Sequence, residues 1–245
     1  GLGDVYKRQV PGIPLKGGGM AIPKTWGTVE YQSNSAYVWN GDPVTGVSEP
    51  ADNEFWVIGS AVHSNSYMYE LGASQQSNCE VTGIIHAHNG TNGWTTARLS
   101  LVRAVPGKTW TTSLSMNTGS TSYRAARGVK FSYTEGFQVR PYGGRYTTET
   151  TAVTQSTHTP ITNNSPVPGG VCVAMADHET GYAAGIGSIS AASIAAGWVF
   201  VGQAGVLAVA YYILSTTEVE TAPAVTFVNG TYTPNNWTLM SGYIR

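Results

Sequence analysis

Short runs in which every second residue is apolar recur along this chain, and turn dipeptides containing glycine cut them off. Val129, Phe131 and Tyr133 alternate with Lys130, Ser132 and Thr134, and Ala97, Leu99 and Leu101 alternate with Arg98, Ser100 and Val102. Side chains on an extended strand leave opposite faces in turn, so this pattern reads as strands with one apolar face. Phe55, Val57 and Gly59 alternate with Trp56, Ile58 and Ser60, which reads as a strand buried on both faces. Asn40-Gly41, Asn89-Gly90, Asn92-Gly93 and Asn229-Gly230 tolerate the positive φ angles of tight hairpin turns. The run 224–228, the pair Asn229-Gly230 and the run 231–233 together predict a hairpin. Strands broken by loops every ~10 residues predict an all-β fold, an antiparallel β-sandwich or jelly-roll-like arrangement. Part of 188–196 is the place for one short Ala-rich helix.

Composition sets the scale of that fold. The chain has 245 residues, 41% of them hydrophobic, enough for the core of one large sandwich. Charged residues make up only 11%, against about 25% in ordinary globular domains. Thr, Ser, Asn and Gly carry the polarity instead, as suits strand faces and turns. The net charge of -1 hides an asymmetry. Arg98, Arg103, Lys108, Arg124, Arg127, Lys130, Arg140 and Arg145 crowd the middle of the chain, whereas 146–244 holds no Lys or Arg. This fits two solvated faces of opposite sign, or electrostatic complementarity between neighbouring copies. The cations are too dispersed for a nucleic-acid footprint, so no nucleic-acid partner is expected.

The uncharged stretch 183–214 is long enough to be weighed as a membrane span, but Gly185, Gly187, Gly197, Gly202 and Gly205 interrupt it and no cation anchors its ends. Buried strands, 198–201 and 206–214 among them, are expected instead, with no membrane span. The Thr- and Ser-rich segment 147–162 is compatible with an exposed edge, a long loop or a boundary, and a sub-boundary near 160–170 stays open. Cys79 and Cys172 lie far apart without metal-type spacing and are read as free buried thiols.

Residues 4–9, Asp-Val-Tyr-Lys-Arg-Gln, resemble the translation of a transposase end used in preparing sequencing libraries. Together with the Lys-Gly-Gly-Gly-Met run at 16–20, this makes 1–19 a non-native leader in expectation, and 20–245 a single sandwich domain.

Chemistry-bearing clusters are sparse. His86 and His88 would share one strand face and can both ligate a metal, a pair that resembles cupin metal sites without the Glu that should follow. His63, His158, His178, Asp177 and Glu179 are the possible third ligands, and no spacing selects one. The plainer reading is two polar side chains beside a loop, and no cofactor is expected. Asp177-His178-Glu179 places two carboxylates on one strand face, a pair able to act on a glycoside but more simply read as solvated acids at a strand end. No nucleophile elbow, phosphate-binding loop or CxxC pair occurs, so an enzyme is not expected. The aromatic residues say more: 14 Tyr and 7 Trp against 5 Phe favour wet contact surfaces and sugar stacking. Trp94, Tyr67, Tyr69, Tyr142 and Tyr146, all near loops, are the candidate ligand-binding rings.

The start Met20-Ala21-Ile22-Pro23-Lys24, the Thr/Ser/Asn/Gly-rich strands, the scarce charge and the closing Pro234-Asn235-Asn236-Trp237-Thr238-Leu239 resemble virion-associated β-sandwich proteins of tailed bacteriophages. The resemblance implies a tail-fibre, capsid-decoration or receptor-contact protein, located in the virion after assembly in the host cytoplasm. It also implies a homo-oligomer, a trimer above all, in contact with other virion proteins and a host-surface glycan. The competing expectation is a carbohydrate-binding module or glycan-active enzyme of an environmental bacterium.

Overall fold

Alternating apolar residues let strands pair edge to edge and stack face to face, and here they build three antiparallel layers. The structure, a computed structural model, describes residues 36–39, 44–45, 47–63, 68–71, 78–89, 95–110, 113–114, 116–118, 123–133, 139–161, 169–178, 185–215, 218–229, 233–234 and 236–245. The first layer contains β1 (Ala36–Trp39), β3 (Glu54–His63), β5 (Cys79–Asn89), β6 (Thr95–Ala104) and β9 (Tyr123–Ser132), in the order β1-β9-β3-β6-β5. Two small ribbons accompany it: β2 (Val44–Thr45) with β7 (Ser113–Leu114), and β4 (Met68–Leu71) with β8 (Met116–Thr118).

The second layer contains β10 (Pro141–Glu149), β12 (Val171–His178), β14 (Val199–Ala204), β15 (Leu207–Ile213) and β17 (Trp237–Ile244), in the order β10-β17-β12-β15-β14. The third layer is β11 (Gln155–His158), β16 (Val225–Val228) and β13 (Ser188–Ile189), with β16 in the middle. The short helix α1 (Ala191–Ala195) follows β13. Ser190 caps its start, its Oγ accepting from Ser193 N, and Gly197 at φ 101° ends it with a left-handed turn.

Layers one and two form the antiparallel sandwich expected from the sequence. Their shared core joins Phe55, Val57, Leu99, Leu101, Val129 and Phe131 to Val171, Val173, Met175, Val209, Met240 and Ile244. Glycine sets how closely they approach. A Cβ on Gly59 would lie 3.0 Å from Met175 Sδ, and one on Gly242 would overlap Ile84 Cγ2. The strands that 183–214 was expected to contribute at 198–201 and 206–214 are present as β14 and β15, which turn through Gly205 and Val206. Among the described residues no helix is long and apolar enough to cross a membrane.

The third layer is additional to a two-sheet sandwich, and it explains why β12 and β17 are buried along their whole length. Cys172, Ala174, Ala176, Trp237, Leu239 and Tyr243, on the outer face of the central sheet, pack under Val225, Phe227, Ile189 and Trp198. The outer face of the first layer is covered as well. Trp56 and Trp110 donate their indole N–H groups to Ser48 O and Val47 O, so Val102 and Lys130, expected on a polar face, are buried. The expected hairpin at Asn229-Gly230 does not provide the pairing of β16. One edge of that strand is taken by β11 and the other by β13, and 230–232 lie outside the described residues. The first layer draws on strands before 133 and the other two on strands after 140. The 160–170 segment connects β11 to β12 within the later part, and 162–168 lie outside the described residues. Cys79 and Cys172 are free and buried.

Candidate functional site

A β-bulge shapes a concave feature that contains predicted site residues. The pairing of β5 with β6 shifts between Gly83 and Ile85, which turns both Ile84 and Ile85 toward the second layer. There Ile84 meets Gly242 and Ile85 meets Gly144, so β5 and β10 lie side by side as the last strands of their sheets among the described residues. Between them runs a groove of about 530 Å³ lined by Ile84, Ile85, His86, Gly143, Gly144, Arg145 and Tyr146. Tyr146 is 49% exposed, and His86 is exposed on β5. In register with Ser241, Arg145 leaves β10 on the third-layer side, opposite to Tyr146. The groove thus presents one aromatic plane, one imidazole and the backbone of two strand edges, the mixture of stacking surface and hydrogen-bonding groups that suits a sugar or an extended peptide.

The other predicted site residues fall elsewhere. Tyr142 is not a contact ring: a bulge between Pro141 and Gly143 turns it inward, where it is 6% exposed and packs on Tyr243 at 5.6 Å. Arg245 sits over the ring, its Cζ 4.9 Å from the centroid, and burial raises the phenol's pKa, with Cys172 adding to the rise and Arg245 opposing it. Tyr69 falls on β4, but its side chain, like that of His88 on β5, lies outside the described residues. Tyr67 and Trp94 lie outside the described residues altogether. Among the described residues no group of three His, Cys, Asp or Glu side chains is placed to hold a metal ion. Asp177, read as a solvated acid at a strand end, is fully buried, as is His178, because β12 continues between two layers as far as His178. Glu179 lies outside the described residues.

Several cations read either as a solvated face or as complementary charge between copies are engaged internally. Arg103 pairs with Glu80 at 2.9 Å, and Lys130 with Glu54 at 3.2 Å. Arg127, 4% exposed, points into the sandwich on the same face as Val129 and donates to Val201 O at 2.9 Å and Gln203 O at 3.4 Å. Those carbonyls belong to β14, the last strand of the central sheet among the described residues, whose ladder is broken by a bulge between Phe200 and Gly202. The guanidinium therefore completes an edge that strand pairing leaves open. Burial lowers its pKa.

Two buried histidines were not selected as a pair by the sequence. His158 on β11 has Nδ1 3.1 Å from Thr147 Oγ1 and Nε2 2.9 Å from Ser241 Oγ. Burial, and secondarily the charge on Arg145, lowers its pKa to about 4. His178 Nε2 lies 2.9 Å from Asn229 Nδ2, and the imidazole meets Trp237 edge-on at 5.3 Å. The only sequence signal was that His158 shares a period-two face with Ser156 within a Thr/Ser-rich stretch. Polar residues in alternation do not announce burial.

No protein-family model, curated protein or solved structure matches this chain.

Proposed function

We propose that this chain is a structural or adhesion protein of the phage-virion type, acting by self-assembly and by contact with a surface, and not by catalysis. The observation that carries the reading is the groove between β5 and β10, which the half-exposed Tyr146 and the exposed His86 both line. An exposed ring of that size is a binding anchor when a partner covers it. Self-contact is supported on another side of the central sheet. Val199, 45% exposed, and Ile213, 42% exposed, lie on one face of β14 and β15, and Ile194 on α1 is 58% exposed. The resemblance of the composition and closing segment to tailed-phage sandwiches agrees with this reading.

The same groove favours a second reading, a carbohydrate-binding module, because a tyrosine ring flanked by an imidazole is also sugar-stacking chemistry. Both readings place the contact at Tyr146. Binding of the full chain to an array of bacterial surface polysaccharides tests them together. Retention that falls roughly tenfold or more in Tyr146→Ala supports a contact at this groove, since losing an anchor ring costs about 2 kcal/mol. Retention unchanged by Tyr146→Ala and His86→Ala contradicts it.

A further inference from the structure

The third layer meets the central sheet through an apolar interface crossed by a few polar contacts, and two of these involve fully buried histidines. We propose that His158 and His178 form a proton-sensitive latch, so that acid releases β11, β16 and β13 from the central sheet while the first layer stays folded. At one pin, His158 of β11 reaches across to Thr147 of β10 and Ser241 of β17. At the other, His178 of β12 meets Asn229, the residue that follows β16. Asn229 in turn donates its backbone N–H to Thr154 O, just before β11, whereas His158 pairs in register with Val225 at the start of β16, so the two pins hold opposite ends of one small sheet.

Charge at the His158 ring is poorly accommodated. His158 and His178 are fully buried. Around His158, β10 contributes the cation Arg145 and the hydroxyl of Thr147, β17 contributes Ser241, and β16 contributes only its register partner Val225. At His178, β17 contributes Trp237 and the end of β16 contributes Asn229. Asp177 leaves β12 on the opposite face. Glu149 lies two strands away on the third-layer side, with its carboxylate accepting from Thr151 N at 2.8 Å. The Asn229 amide donates to Nε2, and a proton on that nitrogen removes the acceptor. The low pKa of His158 agrees: its neutral form belongs to the folded layer.

The sign follows from which state takes the proton. An unfolded or detached His158 titrates near 6.5 and the buried one near 4, so the detached layer binds more protons between these values and opening becomes easier as pH falls through that window. Above pH 6.5 both states are neutral and the latch is fully engaged.

Amide hydrogen exchange on the full chain, corrected for intrinsic rates, tests this between pH 7 and pH 4. The expected result is a loss of protection on the order of a hundredfold in β11, β13 and β16, with β3, β6 and β9 holding theirs. The double variant His158→Gln/His178→Gln is expected to lose that pH dependence. Protection in the third layer that persists to pH 4, or that falls together with the first layer, overturns the latch. So does a double variant that opens with the same pH dependence as the parent. If the double variant does not fold, imidazole titration of the parent by NMR decides. Normal titration of His158 near 6.5 without opening of the third layer overturns the proposal, and titration coincident with opening supports it.

Discussion

Replacing Arg127 with Met keeps most of the side-chain volume and removes the guanidinium that closes the β14 edge. The firm bond in the pair is to Val201 O at 2.9 Å, because Val201 is only 2% exposed and its carbonyl has little access to water. The bond to Gln203 O at 3.4 Å is weaker, and Gln203 is exposed, so water can replace that donor. A hydrogen bond to a charged group contributes about 1.5–3 kcal/mol, and an orphaned buried carbonyl costs about 1–3 kcal/mol. Releasing the buried charge offsets part of this. Taking the Val201 bond as the main loss, Arg127→Met is expected to destabilise the fold by about 2 kcal/mol, with Arg127→Lys falling between it and the parent. Equilibrium denaturation in guanidinium chloride measures the difference as a lower midpoint at unchanged slope. Hydrogen exchange should localise the weakness to β14. An Arg127→Met protein within about 0.5 kcal/mol of the parent refutes the argument, because the carbonyls would then be satisfied without the guanidinium.

Other consequences are as direct. Because the folded pKa of His158 is depressed from 6.5 to about 4, global stability should fall by up to about 3 kcal/mol as pH drops through that interval, and denaturation midpoints of His158→Gln should lose that part of the slope. Gly242→Ala should destabilise by about 1–3 kcal/mol, since the new methyl overlaps Ile84 where the two sheets touch. A thermal melt no lower than the parent's would show that the sheets separate there at no cost. Phe131→Ala should cost about 3–5 kcal/mol by denaturant titration, because its ring fills the core between Phe55 at 5.5 Å and Tyr211 at 5.4 Å. A loss under about 1 kcal/mol would contradict that packing.

What the sequence made legible was the part of the fold written in apolar alternation. Val129, Phe131 and Tyr133 line the core as their spacing predicts, and Phe55 to Ser60 are covered on both faces. The short helix is also where serine, alanine and glycine place it. The third layer was not legible, because β11 carries its contacts on Ser156 and His158, and an alternation of polar residues looks like a solvated edge. Lys130 was misread for the opposite reason. Its strand has a polar face in sequence, but the segment around Val47 and Ser48 folds over that face and Glu54 neutralises the ammonium. Tyr142 and Tyr146 show the limit at the groove: both sit near a loop, and only the bulge at Gly143 decides that one is inside and the other out. That His86 and Tyr146 line one groove depends on β5 and β10 lying together, a long-range fact that no local pattern carries.

Assembly is the claim that most separates a virion component from a free-standing binding module. Light scattering behind a sizing column, run on the full chain over a range of concentrations, measures it. The account predicts a stable homo-oligomer, with a mass three times that of the chain as the favoured value, dissociating when Val199 and Ile213 are replaced by Asp. A mass equal to one chain at every concentration would contradict it.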